Sequence, residues 1–373
     1  MKNICIIIVS LFIVFIVFNF HLGNDNLNED FGNIDQPHCN WSKTSILKEA
    51  MDNVGVDKKD FYIPCSYNTC ETDAKIFEDT SEGVKLFLID GCDYIASKFA
   101  LWEILRIQYK DEATKYMPKT FLLNKPNDVA QFTDHYNKNL EKRPDQMYVL
   151  KNYEQRQEGI KLTRDLNEIL DGYKNGWYLA QDYIYNPYII SNRKINLRYY
   201  LLVVCNGDTI EGYLHQDGFV YYTKEDYDEN DMSFDKHITT GYVDRKIYDE
   251  NPLTLANFRQ YLKYKDPDSV VLWNKNAKSL MNRTVLALSS KICQNKKISS
   301  YFRFQLFGCD LAPSANLDAM LMEINKGPDM GAKDKRDHAI KLKVQEDIFK
   351  LIRYKNKESN ENGTRFIKIY SNQ

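Results

Sequence analysis

"YFRFQLFGCDLAPSANLDAMLMEIN", residues 301–325, reads as two strands joined by a turn, and the side chains on those strands decide the fold. The apolar runs 302–311 and 319–325 flank a cluster of Pro, Ser and Asn, the composition of a hairpin connection. Side chains alternate between the two faces of a strand, so Glu323 and Asn325 share one face while Met322 and Ile324 take the other. The run stops at "KGPDM", residues 326–330. With Asp310 on the companion strand, the hairpin offers a group of oxygen donors.

Two further strands supply cations. "MYVLK" (147–151) ends on Lys151, and "RKINLRYYLLVVC" (193–205) alternates so that Lys194, Asn196 and Arg198 face one side and Ile195, Leu197 and Tyr199 the other. "KLFLID" (85–90) is a short apolar strand, and "GWYLAQDYIYNPYII" (176–190) is a strand that gives way to a turn at Asn186 and Pro187. Helices lie between them. In "ASKFALWEILRIQYK" (96–110), Ser97 caps a helix burying Phe99, Trp102 and Leu105. In "NDVAQFTDHYNKNL" (127–140), Val129, Phe132, Tyr136 and Leu140 share one face, and Ile340, Val344, Ile348 and Leu351 do the same in the Lys-rich segment after Lys333. Strands interleaved with helices predict an α/β (α+β) fold with mixed and antiparallel sheets.

Each polar strand face, taken singly, is more often the wet side of an antiparallel sheet. Together they match another demand: a nucleoside triphosphate needs Lys and Arg against its phosphate oxygens, and its magnesium needs carboxylate and amide oxygens.

The totals narrow the partners. The 373 residues are 43% hydrophobic and 27% charged with a net charge of −2, so there is no excess of cations of the kind a nucleic-acid backbone selects. The run "ICIIIVSLFIVFIVF" (4–18) is free of charge and predicts a signal anchor or a signal peptide over residues 1–22, followed by a polar tether over 23–40. Lys2 precedes the run, which by the positive-inside rule favours a body in the lumen or outside the cell on a single-pass anchor, with the cytosolic side left open. Asn-x-Ser/Thr acceptor sites at Asn40, Asn282 and Asn362 fit that topology. The cysteines form no C-x-x-C pair, which disfavours zinc. Cys92, Cys205 and Cys309 sit in strand-like apolar contexts as buried thiols, and a disulfide among Cys39, Cys65 and Cys70 stays open.

The order of these stretches resembles the tubulin tyrosine ligase-like proteins, members of the ATP-grasp superfamily. The matching segments are "SKFAL" (97–101), "YVLKNYEQRQEGI" (148–160), "LAQDYIYNP" (179–187), "NRKINLRYYLLV" (192–203), "HITT" (237–240) and the hairpin through "MEINKGPDM". They cover roughly residues 95 to 330, and Glu-x-Asn followed by a Pro-containing turn is the most specific of them. The resemblance implies an ATP-grasp fold with an N-terminal α/β subdomain (41–135), a central subdomain (136–185) and a C-terminal one (186–373), the nucleotide lying between the last two.

It also implies roles. Lys98 and Lys151 would reach the nucleotide phosphates; Gln181, with the backbone through Asp182, Tyr183 and Ile184, would line the adenine pocket. Lys194 and Arg198 would complete the phosphate and acceptor side, with Asn196 and Thr240 on the nucleotide side. Asp310, Glu323 and Asn325 would hold Mg²⁺, and Lys194, Arg198 and Glu323 would be the catalytic set. The loop 152–159 would close over the triphosphate of ATP. The implied chemistry is phosphorylation of a carboxylate, then attack by the amine of a free amino acid on the acyl phosphate, in a monomer acting on a protein or peptide acceptor. Tubulin is the family's default acceptor. The sequence departs from the family at Asn196, where Asp is usual, at Thr240, where Asn is usual, and near Tyr221, where Arg is usual. Those departures keep two alternatives open: a nucleotide-binding pseudoenzyme, or an ATP-grasp enzyme acting on a small molecule or glycan.

Overall fold

In a computed structural model, the structure describes residues 45–62, 83–152, 159–239, 243–354 and 363–373. Its strands in chain order are β1 (Phe61–Tyr62), β2 (Lys85–Leu86), β3 (Thr120–Leu122), β4 (Tyr148–Lys151), β5 (Ile160–Thr163), β6 (Leu179–Asp182), β7 (Ile189–Ile190), β8 (Arg193–Asn206), β9 (Thr209–Tyr222), β10 (Arg303–Pro313), β11 (Ala319–Asn325) and β12 (Phe366–Ser371). They form two sheets. The larger runs β1-β2-β10-β8-β9-β12, with β11 on β10 and β7 on β8; the smaller runs β3-β6-β4-β5. In the larger sheet β1, β2 and β10 run parallel while the remaining pairs are antiparallel, and the smaller sheet is antiparallel throughout. The mixed α/β class and the mixed and antiparallel sheets are as expected.

The hairpin of β10 and β11 forms as its pattern predicts, with Asp310 opposite Glu323. A bulge follows at once, because Leu311 pairs with Leu321 and leaves Met322 without an opposite number. On its other side β10 pairs with β8, which sets Asp310 directly across from Arg198. Their apolar faces merge into one core with Trp273, Phe258 and Phe349 from the covering helices.

Those helices arise where the periodicity puts them. Ser97 accepts a hydrogen bond from the Ala100 amide (3.2 Å) and starts the helix Lys98–Tyr109, which buries Trp102 and Leu105. The helix Pro126–Lys142 covers the smaller sheet through Phe132, although Leu140 at its far end is exposed. The helix Lys335–Tyr354 buries Val344, Ile348 and Leu351 as expected.

Several expectations change. "KLFLID" is a ladder strand only over Lys85–Leu86, because β10 offers it a single register pair, Arg303 with Leu86; Phe87 to Ile89 are buried without one. Cys205 is no free thiol: it is bonded to Cys293, 88 residues on, while Cys92 and Cys309 are buried. Asn282 is half-buried and its amide donates to the Ile369 carbonyl, which removes it as an exposed glycan acceptor. Asn40, Asn362, Cys39, Cys65, Cys70 and the run 4–18 lie outside the described residues. Among the described residues no helix is long and apolar enough to cross a membrane.

Candidate active site

The polar face of β8 is covered rather than wet. Lys194 is 5% exposed and Lys151, at the end of β4 in the other sheet, is 6% exposed, so two ammonium groups are held out of water. Burying a cation without a counter-ion is costly, and the amine loses its proton more readily. Burial pulls Lys151 down to about 8, with repulsion from Lys98 adding to it and Glu323 opposing it. Burial and repulsion from Lys151 bring Lys194 down to about 7. Lys98, at the first turn of its helix, is lowered by burial and supported by Glu323; its Nζ donates to the Asn152 carbonyl at 3.4 Å.

Each cation has a positioning contact. Lys151 Nζ donates to Gln181 Oε1 at 2.8 Å, and the Gln181 amide nitrogen donates to Thr120 Oγ1 at 2.8 Å, so β3, β4 and β6 together aim this lysine. Lys194 Nζ donates to the Tyr183 hydroxyl at 3.3 Å and lies 4.5 Å from the centre of that ring. Arg198 grips Asp310 with two bonds, Nε to Oδ1 at 2.5 Å and Nη2 to Oδ2 at 3.0 Å, the planar fork matching the carboxylate. Gly308 makes room for it: a Cβ there would stand 3.2 Å from Arg198 Nη1 and 3.0 Å from the Pro328 ring.

The oxygen donors are two carboxylates and an amide. Asn325 Nδ2 donates to Glu323 Oε1 at 3.1 Å. Burial works against the Glu323 charge, but Asn325, Lys151, Lys98 and Arg198 outweigh it and hold this carboxyl below its ordinary range. Asp310 goes the other way: burial, with Glu323 beside it, raises it despite Arg198. Among the described residues no three His, Cys, Asp or Glu side chains gather to hold a metal by themselves.

Lys98, Lys151, Gln181, Tyr183, Lys194, Arg198, Asp310, Glu323 and Asn325 are thus linked by bonds or charge into one site. Other expected residues stand differently. Asp182 turns its carboxylate away to His135 Nε2 (2.8 Å), because strand parity puts it opposite Gln181. Ile184 follows it, half-buried. Asn196 Oδ1 is buried with no partner among the described residues. Tyr221 lies under Arg198, its ring centre 5.3 Å from the guanidinium carbon. Thr240 and residues 153–158 of the closing loop lie outside the described residues. The expectation overlooked His237, whose Nδ1 is 2.8 Å from the Tyr183 hydroxyl; the "HITT" match was its one sequence signal.

A family model described as the tubulin-tyrosine ligase family matches residues 81–362. The chain belongs to that family. Curated relatives agree: it is 25% identical to the probable tubulin polyglutamylase TTLL2 of Mus musculus over 66% of this chain and 46% of that protein. It is 29% identical to the probable tubulin polyglutamylase TTLL9 of Bos taurus over 47% of this chain and 38% of that protein. It is 24% identical to the tubulin glycylase 3B of Drosophila melanogaster over 49% of this chain and 26% of that protein. The chain therefore spans less than half the length of each of these three.

These comparisons overturn one expectation. A single-pass membrane protein with a lumenal or extracellular body does not fit relatives named for tubulin, and among the described residues no membrane-spanning helix offsets that. That location and the membrane as partner are set aside.

Proposed function

We propose that the chain is an ATP-dependent carboxylate–amine ligase that joins an amino acid to a protein or peptide acceptor. The observation that carries this is the convergence of three cations from separate segments, Lys98, Lys151 and Arg198, on Asp310, Glu323 and Asn325, with Lys194 beside Lys151. Lys151 and Lys194 are lysines lowered by burial, and on the Lys194 face of β8 the Asn196 Oδ1 is buried with no partner among the described residues. A phosphate chain with its hydroxyl-bearing sugar meets both needs.

In this reading Lys98 and Lys151 bind the phosphates, while Gln181 and the backbone of 182–184 border the base. Asn196 and Thr240 complete the nucleotide side. Asp310, Glu323 and Asn325 would hold magnesium, which when bound neutralises charge on the phosphate oxygens. Lys194 completes the phosphate side and, with Arg198, orients the acceptor carboxylate so that its oxygen bonds to the terminal phosphorus as the bond to ADP breaks. The neutral amine of the amino acid then bonds to the acyl carbon, the carbon–oxygen bond to phosphate breaks, and the amine gives up a proton as inorganic phosphate leaves. No covalent enzyme nucleophile is needed; the side chains position the reactants and stabilise developing charge. The subdomain division 41–135, 136–185 and 186–373 is kept as part of this proposal. The relatives' names make tubulin the first acceptor to try.

Glu323→Gln tests the reading, since it keeps the shape and removes the charge. The full chain with ATP, magnesium, glutamate or glycine and purified tubulin should add mass to the acceptor, and the variant should add none while melting like the parent. Full turnover by the variant would refute the assignment. Tyr221 supports a second reading, a nucleotide-binding pseudoenzyme, because it places an uncharged ring against Arg198 where the family has a cation. Binding of ATP with neither ATP loss nor acceptor gain would favour that one.

A further inference from the structure

The Tyr183 hydroxyl meets His237 and Lys194, with the Tyr227 side chain also against it, and one arrangement of protons serves the first two. His237, at the end of the helical turn Phe234–His237, sets Nε2 2.5 Å from the Asp231 carbonyl oxygen. A carbonyl only accepts, so Nε2 carries the imidazole proton and Nδ1 of the neutral ring is an acceptor. Tyr183, 2.8 Å from Nδ1, therefore donates to it. The lone pairs of the Tyr183 oxygen remain for Lys194, whose Nζ donates across 3.3 Å. The bonds run one way, from Lys194 through Tyr183 and His237 to Asp231.

We propose that His237, acting through Tyr183, is a positioning residue that holds Lys194 as a cationic donor for an anionic group bound in the site. Without an acceptor at Nδ1, the Tyr183 proton is free to turn toward Lys194 and bond the lone pair of its neutral amine, which favours the uncharged form. With the acceptor in place that bond is closed off, and Lys194 can only donate. The ring contributes as well, since the ammonium lies over the Tyr183 face.

The surroundings keep His237 neutral. Burial lowers it, and Lys194 and Arg164 add to that against the Asp231 carbonyl and carboxylate. Around Tyr183 stand Tyr185, Tyr227 and Glu229, and its own burial keeps the phenol protonated. Lys151 on β4 is the charged neighbour of Lys194 from the smaller sheet. Tyr227, whose side chain adds to the rise at Tyr183, packs its ring 5.5 Å from the imidazole.

The inference rests on the ligase reading only for the identity of the anion, so its test has two arms. In the first, the full chain without nucleotide is labelled with isotope-coded acetic anhydride between about pH 6 and pH 10, and the Lys194 peptide is read by mass spectrometry. Losing one hydrogen bond to a charged group should lower the Lys194 midpoint by about one pH unit in Tyr183→Phe and in His237→Ala. His237→Asn, whose Oδ1 stands in for Nδ1, should restore it. In the second arm, calorimetry with Mg·ATP near neutral pH should show about tenfold weaker binding for the first two variants and near-parental binding for His237→Asn. Unmoved midpoints in Tyr183→Phe and His237→Ala, or His237→Asn behaving like His237→Ala, would overturn the relay. Absence of Mg·ATP binding by the parent would count against the ligase reading alone, because the acetylation midpoints still decide the relay. If His237→Ala does not fold, Tyr183→Phe, which removes one oxygen atom, decides it.

Discussion

Binding of a polyanion between Lys151 and Lys194 should draw protons from solution, and the size of the effect follows from their burial. Without an anion these amines titrate at about 8 and about 7. A phosphate against each of them favours the charged form and lifts both midpoints. The sign follows: both lysines are charged below about pH 7, and affinity falls as pH rises through the two free-state midpoints. If the bound state requires both charges, the apparent dissociation constant scales as (1 + 10^(pH−7))(1 + 10^(pH−8)). That factor is close to one at about pH 6 and on the order of a thousand at about pH 9. At about pH 7.5, roughly three quarters of Lys194 and one quarter of Lys151 are neutral, so binding should take up about one proton. Titration calorimetry with Mg·ATP in two buffers of different ionisation heat gives that number directly. Lys151→Met should cut the uptake to the share of Lys194 and flatten the upper part of the profile. An affinity unchanged between about pH 7 and pH 9, or a net release of protons, would refute the reasoning.

Two further outcomes are expected from the frame around the site. Gly308→Ala should force Arg198 or Pro328 aside and cost about 1 to 3 kcal/mol of stability in urea unfolding, with loss of turnover. The bond between Cys205 and Cys293 closes a loop of 88 residues, so Cys293→Ser should lower stability by up to about 4 to 5 kcal/mol in the chain-entropy picture, and reductant should do the same to the parent but nothing to the variant.

What the sequence showed of this fold, it showed through period and punctuation. The hairpin was legible because two apolar runs bracket a turn, and β8 because its first half alternates without a break. Both patterns are local, and each residue needs only its neighbours to be read. The site was legible as a set of candidates for the same reason, since Lys194 and Arg198 share a parity on β8 and Asp310 and Glu323 lie on paired strands. Parity does not reveal what covers a face. Lys194, Asn196 and Arg198 read equally well as solvated, and the covering groups, Lys151 and Tyr183, belong to a different sheet.

The misses share that long-range character. Cys205 looked like a buried thiol because its partner lies 88 residues away, beyond any local pattern. His237 carries no periodic signature in a turn of four residues, and its importance rests on a hydroxyl 54 positions earlier. Asp182 was expected to contribute backbone, and its side chain follows a local rule. The period of two that separates Glu323 from Ile324 also separates Asp182 from Gln181 and Tyr183, so its carboxylate had to leave the face that holds Lys151. The structure sends it to His135 on the helix Pro126–Lys142, where it ties that helix to β6. Asp182→Asn should therefore weaken the cover of the smaller sheet and leave the proton uptake at Lys151 and Lys194 unchanged. A change in that uptake would mean the two faces of β6 are coupled, and strand parity would be too coarse a rule for assigning roles in this site.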